Sequence, residues 1–479
     1  MAPRKYEPVT TRPVKRFFVN MLTRDIELED AILDLLDNCV DGVLRSLNGE
    51  GEGGTPYKGY SAKISFDASH FDIKDNCGGI PWDLHDSAFR MGRPENGKEP
   101  EPALTVGVYG IGMKRAIFKM GRVASIWTQN GKDNYKVSIP TGWMADEEDW
   151  ELKVSAETKK MRRDGTRINI TDLEEGASAR FATKSFEEDL LDKIESHYSV
   201  IMHKGLRVEV NGKEANPKPL LLRFATGESD GPEIRPYVFR TEVSGVTVIL
   251  AVGLREPIPD ADTTLEEQNE TQFSSDYAGW TVICNDRVVL YCNRDELTGW
   301  GTAKLPRYHN QFIAISGVVE FRGDPRGLPT TTTKRGLNFS SPLYQNVLDR
   351  MRDGLRLFID YTNRWKSRSA EARVEVDRVP ALTFENLKGQ IETLKFTKVT
   401  VGLEGEQYKP KLPRPIDDSP DVRISYFRDR EQVAALAGAM LEDFELMTDR
   451  EIRKGVGEAS FDFAFSQKVN GRVRRRTRS

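Results

Sequence analysis

The sequence predicts an α+β protein of more than one domain, and three observations carry that reading. Residues 26–47 repeat apolar positions at helical spacing. Short runs such as 164–170 and 206–212 alternate apolar and polar residues as half-buried strands do. A length of 479 residues exceeds the size at which one hydrophobic core stops growing.

Within 26–47, Ile32, Leu36, Val40, Val43 and Leu47 recur at intervals of three and four, which makes one buried helical stripe. Asp34, Asn38 and Asp41 advance by four and three, so they fall within roughly 60° of arc and aim at one spot. An amide oxygen is a hard donor suited to Mg²⁺, and a carboxylate one turn away can orient a water for attack on a phosphate. Next, Phe66, Phe71 and Ile73 indicate a strand or hairpin that ends in Asp75-Asn76-Cys77-Gly78-Gly79-Ile80-Pro81. A carboxylate at a strand end can accept from an adenine amino group, and glycines let the base approach the backbone.

Residues 83–106, with Gly92, Pro94, Gly97, Pro100, Pro102 and charges of both signs, read as a mobile loop. Gly107-Val108-Tyr109-Gly110-Ile111-Gly112 then opens a helix from Met113 to Met120, where backbone amides can cradle phosphates and Lys114 adds a mobile positive charge. Asp164-Gly165-Thr166 starts a strand to Ile170, with a hydroxyl that can reach adenine directly or through water. No Rossmann fingerprint and no Gly-Lys-Ser/Thr loop occurs. Each motif alone also fits a solvated helix face or an ordinary turn. Their fixed order is what makes them specific.

In that order they resemble the N, G1, G2 and G3 boxes of the GHKL ATPases, the superfamily of gyrase B, the ninety-kilodalton heat-shock chaperone, histidine kinases, MutL and MORC proteins. The resemblance implies a Bergerat-type ATP-binding α/β sandwich over 26–215 that takes ATP and Mg²⁺. It implies Asn38 as the metal ligand, and Asn38, Asp41, Asp75, Gly79, Ile80, Gly107, Tyr109, Gly110, Ile111, Gly112, Met113, Lys114 and Thr166 as nucleotide contacts. Asp34 and Lys334 are the implied catalytic residues. Two positions depart from the family pattern. Asp34 stands where hydrolysing members have Glu, which implies slow turnover or a substitute acid such as Glu27 or Asp30. Cys77 stands where the first G1 glycine is usual.

Beyond the boxes, 185–204 reads as a helix running into the strand and turn of 206–212, and 213–235 reads as a boundary. Strands follow at 237–254 and 280–291. Val282-Ile-Cys-Asn-Asp-Arg287-Val-Val-Leu290 resembles the strand-turn-strand of the transducer, the second GHKL domain, here assigned to 236–341, and Trp300 with its nearby glycines suits the MORC-like layout. The loop Pro329 to Asn338 resembles the one that returns a lysine to the γ-phosphate, which would be Lys334. Leu343, Val347, Leu348, Met351, Leu355 and Phe358 stripe a long helix over 342–370. The remaining 371–479 reads as a mixed, helical C-terminal region without assignment: strand-like pieces near 394–402, a helix at 429–444, an alternating apolar run at 459–465 and an arginine-rich tail at 472–478.

A net charge of −4 gives no bulk attraction to nucleic acid. Four cysteines without zinc spacing and five scattered histidines point to reduced thiols and no metal cluster. The absence of a His in 1–33 disfavours a sensor histidine kinase, and no topoisomerase metal module is recognisable. The expectation is a cytoplasmic ATPase without membrane segments, MORC-like or heat-shock-chaperone-like. It would be an ATP-dependent homodimer strapped through residues 1–25 and would close on DNA, as implied by relatives in prokaryotic defence and DNA handling. The alternative is a protein-remodelling or scaffolding ATPase acting on a polypeptide, for which a partner encoded nearby is the natural candidate.

Overall fold

The computed structural model describes residues 14–47, 54–90, 110–147, 149–227, 231–259, 275–331, 336–415 and 427–470. The chain divides into two compact units, 1–415 and 416–479. Among the described residues no helix is long and apolar enough to cross a membrane.

The first unit opens with helices α1 (Lys15–Arg24) and α2 (Leu28–Ser46) and the hairpin β1 (Ser61–Asp67) and β2 (His70–Asp75). After α3 (His85–Phe89) and α4 (Gly112–Met120) come β3 (Gly121–Asn130), β4 (Asp133–Ile139), β5 (Lys153–Ala156) and β6 (Gly165–Leu173). Helices α5 (Glu175–Phe181), α6 (Lys184–His197) and α7 (Ser199–His203) lead to β7 (Arg207–Val210) and β8 (Lys213–Glu214). These strands form one sheet in the order β5-β4-β3-β6-β2-β1-β7-β8. The β2–β6 register pairs Ile73 with Ile168, so the end of β2 at Asp75 meets the start of β6 at Gly165. Chain-distant motifs thereby become neighbours.

Helix α2 holds this core together. Ile32, Leu36, Val40 and Val43 are fully buried, as their spacing predicts, and they join one cluster with Ile64, Phe71, Ile126, Ile170 and Ile194. Burial of such side chains is worth roughly 1.5–3 kcal/mol each. Helix α1 docks by an inverted pattern. Lys15 is buried, its Nζ donates to the Trp143 carbonyl at 2.8 Å and sits 4.0 Å from the Trp143 ring centroid, while Phe17 and Met21 face solvent. Residues 15–24 of the expected dimer strap are therefore a helix seated on their own domain, and residues 1–13, with Arg12, lie outside the described residues.

A second sheet follows. It takes β10 (Tyr237–Val243), β11 (Val246–Leu254), β12 (Gly279–Cys284), β13 (Arg287–Asn293) and β14 (Ile315–Arg322), after the short β9 (Leu221–Arg223). Helices α8 (Pro342–Trp365) and α9 (Ser369–Asp377) precede β15 (Ala381–Thr383), α10 (Phe384–Ile391), β16 (Thr397–Val399) and β17 (Gly405–Tyr408). The order is β13-β12-β14-β11-β10-β17-β16, while β15 pairs with β9. Residues 371–415, which carry no assignment from sequence, thus complete this sheet and cap it.

Period two and cover on both faces explain why β11 and β12 read as nearly continuous apolar runs. Phe239, Leu250, Val282 and Val319 face α8, while Val238, Ala251, Ile283 and Val318 face Leu222, Phe384 and Leu387 on the other side. Both faces are covered. The long helix expected over 342–370 stops at Trp365, and α9 starts anew at Ser369.

The second unit contains α11 (Arg430–Met440) and α12 (Asp449–Phe465). The alternating run at 459–465 is helical, not extended. A capping box, in which Thr448 accepts from the Glu451 amide and Glu451 from the Thr448 amide, starts the helix and sets its period over the local alternation. Phe461, Phe463 and Phe465 end on its exposed surface.

Candidate functional site

The site begins on α2. Between Ala31 and Val40 every residue is buried except Asn38, and Asp41 one turn later is half-exposed. A helix so deeply packed leaves an amide in solvent only where a surface opens. Asp34, one turn before Asn38, is buried and ion-paired with Arg115 of α4. The start of α4 touches the same carboxylate, since a Cβ on Gly112 would lie 3.5 Å from Asp34 Oδ2. The N-box stripe and the glycine-rich turn before α4 are thus brought together. The substitute acids are placed elsewhere: Asp30 lies 3.6 Å from Lys193, and Glu27 lines a cleft of about 1000 Å³ with Lys119 and Gly121 at the far end of α4.

Asp75 lies at the end of β2, half-buried. Its Oδ1 accepts from the backbone N–H of Cys77 at 2.8 Å and of Thr166 at 3.2 Å, which turns Oδ2 toward the Cys39 thiol, 3.6 Å away. Desolvation raises its carboxyl to about 6, opposed by the amide bonds and by Arg45. Cys39 is pushed well above the usual thiol range by its hydrogen bond with Cys77, by burial and by Asp75, so it is a neutral S–H that can donate to Asp75. Cys77 has its thiol directed at α2 and the Ser61 carbonyl, so the departure from glycine fills a gap in the packing.

Two glycines are required by the backbone. Gly79 has φ +67°, and a Cβ there would lie 2.0 Å from the Gln129 carbonyl oxygen. At Gly165 a Cβ would lie 2.2 Å from the Asp75 carbonyl oxygen, so only glycine lets β6 start against the end of β2. Thr166 Oγ1 stands 3.3 Å from Thr128 Oγ1, and Thr128 accepts from the Ile80 N–H at 2.8 Å. Thr128, fully buried on β3, is a site residue that motif reading does not find: its role comes from the β3–β6 pairing of Thr128 with Thr166. Arg45, whose guanidinium is 3.4 Å from the Gly79 carbonyl, lies on the exposed stripe of Asn38 and Asp41 and is a second such residue.

Lys114 differs from its expected role as a mobile charge. It is buried, donating to the Ala88 carbonyl at 2.8 Å and to the Gly110 carbonyl, so it ties the end of α3 to the turn before α4. Gly110 has φ +65°, and Ile111, Gly112 and Met113 complete the turn and the first helical residues. Gly107, Tyr109 and Lys334, and most of the loop at 83–106, lie outside the described residues.

The donor set fits Mg²⁺ held chiefly by nucleotide phosphates. Asn38 presents one hard oxygen donor, and no group of three candidate metal ligands occurs among the described residues. The arrangement of an acceptor carboxylate, a threonine pair and a glycine-bounded helix start fits a purine nucleotide lying from Asp75 toward α4.

Comparison with curated proteins finds no match. Residues 26–174 match the family described as Histidine kinase-, DNA gyrase B-, and HSP90-like ATPase. That span runs from α2 through β6 and contains all four boxes, which supports placing this domain in the GHKL ATPase superfamily.

Proposed function

We propose that the protein binds ATP·Mg²⁺ in the site built on α2 and hydrolyses it slowly, as a MORC-like switch. The observation that carries this reading is Asn38, exposed on an otherwise buried stretch of helix beside the Asp75–Thr166 pair and the start of α4. In it Asn38 holds the metal, Asp75 accepts the adenine amino proton, and the α4 amides face the phosphates. Asp34 orients the attacking water, and Arg115 competes for the same carboxylate, which supports slow turnover. Lys334 returns to the γ-phosphate and links the second sheet to the nucleotide state.

In this reading ATP closes a homodimer on a macromolecule, which we infer to be DNA from the MORC and gyrase B resemblance alone. The test is light scattering during size-exclusion chromatography with no nucleotide, ADP or a nonhydrolysable ATP analogue, with a DNA shift assay on the same samples. The analogue alone should double the mass and strengthen the DNA shift, and Lys334→Ala should weaken both. Equal masses in all three states would remove the switch. A nucleotide-dependent dimer indifferent to DNA would move the client to a polypeptide.

A further inference from the structure

Asp37 precedes Asn38 by one residue, a turn of about 100° on an α-helix. Asn38 is exposed, whereas Asp37 is 1 % exposed and faces the second sheet. Its Oδ1 accepts from Arg287 Nε at 3.0 Å and from the Tyr198 hydroxyl at 2.6 Å. That hydroxyl is also 2.7 Å from the Leu33 carbonyl, and its single proton serves one acceptor at a time, whereas the Arg287 bond to Asp37 does not depend on which acceptor it serves.

Arg287 is held from the sides of both sheets. Its Nη1 donates to the carbonyls of His197 and Val288, both at 3.0 Å, and its guanidinium stacks 4.1 Å from the Tyr198 ring centroid. The turn that carries it is rigid as well. Asn285 and Asp286 have φ of 47° and 68°, the conformation of a two-residue hairpin turn, and Asn285 exchanges two hydrogen bonds with Gly323. Asp286 accepts from Lys204 at 2.7 Å and from Arg322 at 3.0 Å. A fixed cation on the second sheet therefore grips the helix that presents Asn38 and Asp34, one residue away from the former. When a buried ion pair loses one member, the remaining charge moves or draws in water. Here that charge lies on α2.

We propose that Arg287 is a positioning residue for the nucleotide site: by holding Asp37 it sets the rotation of α2, and so places Asn38 for the metal and Asp34 for the attacking water. The second sheet thereby governs Mg²⁺-dependent binding and turnover through the β12–β13 turn, a link separate from Lys334. The proposal rests on the ATP·Mg²⁺ reading above.

The test is calorimetric titration of the full chain with ATP, with and without Mg²⁺, alongside turnover and thermal melting. The proteins are the wild type, Arg287→Lys, Asp37→Asn, Asp37→Glu, Asn38→Ala and the Arg287→Lys/Asn38→Ala double variant. Arg287→Lys and Asp37→Asn should weaken Mg²⁺-dependent affinity and lower turnover by about tenfold, the scale of losing a support behind a metal ligand, and leave Mg²⁺-free binding unchanged. In the Asn38→Ala background Arg287→Lys should cost no further Mg²⁺-dependent affinity, because both act through one side chain. Unchanged Mg²⁺ dependence in the folded single variants, or equal losses in both backgrounds, would overturn the proposal, since a purely structural pair shifts only the melting point. If Arg287→Lys and Asp37→Asn do not fold, Asp37→Glu decides: it keeps the charge opposite Arg287 but lengthens the arm by one methylene, which should turn α2 and weaken Mg²⁺-dependent affinity about threefold, half-way on that logarithmic scale, and no change overturns the proposal. A wild type that binds no ATP fails the ATP reading itself.

Discussion

The two sheets of the first unit differ in where their charged and polar groups stand. In the second, β12 and β14 are buried on both faces, Glu320 of β14 is ion-paired with Lys388, and the charged residues at the β12–β13 turn are paired with one another or with α2. In the first, polar groups remain on the open side: Asn38 is exposed, Asp75 is half-buried with one oxygen turned from its amide bonds, and Thr166 is partly open beside it. Burying a polar group costs free energy unless it is bonded, whereas at an opening water satisfies such groups until a ligand takes its place. One sheet supplies the site and the other supplies the frame.

Substitutions should separate these roles. The largest expected effect on chemistry is at Asp34: Asp34→Ala should lower ATP turnover about a hundredfold and leave ATP affinity nearly intact, the loss of a positioned base. Steady-state phosphate release and calorimetry together check it, and unchanged turnover would remove Asp34 from the reaction.

Acidification comes next. The Asp75 carboxyl lies near 6 in the folded protein against an ordinary value of 3.8, so it is charged at pH 7 and becomes protonated as pH falls through 6. A protonated Oδ2 no longer accepts from an adenine amino group, so ATP affinity should weaken about tenfold by pH 5, a decade per pH unit below the folded value. The stability term runs the other way, because a raised carboxyl destabilises the fold as pH rises through 6. Asp75→Asn should flatten the binding profile, measured as Kd between pH 5 and 8.

Smaller still is Thr128→Val. It keeps the shape and removes the acceptor for the Ile80 N–H, which should weaken ATP by about fivefold, close to 1 kcal/mol. The smallest effect on the site belongs to the frame. Ile283→Ala, on the face of β12 turned toward α10, should cost about 2–5 kcal/mol of stability by thermal or urea unfolding and leave ATP affinity unchanged. A change in affinity there would mean that packing throughout the second sheet, and not the Arg287–Asp37 pair alone, sets the site.

How much of this was legible in the sequence follows the range of the interactions. Helices α2 and α4 show in their apolar spacing, and the motifs around Asp75, Gly110 and Gly165 show because backbone geometry demands glycine at fixed local positions. Thr128, Arg45 and the Asp37–Arg287 pair do not show. Each gains its role from a residue distant in the chain, across a strand pair or between sheets, and none breaks a local pattern. Lys114 shows both levels at once: its place in the motif suggests a phosphate contact, and the fold adds bonds from its ammonium to the Ala88 and Gly110 carbonyls. Strands β3 to β5 and the strands of 371–415 are short or mixed in polarity, and pairing partners elsewhere in the chain define them.

The most direct test of the central claim is calorimetric titration of ATP into the wild type and Asn38→Ala, each with Mg²⁺ and with EDTA. We expect micromolar-to-millimolar binding by the wild type that strengthens with Mg²⁺, and loss of that strengthening in Asn38→Ala with the fold intact by circular dichroism. Wild-type affinity that is absent, or that is the same with Mg²⁺ and EDTA and unaltered by Asn38→Ala, would contradict it.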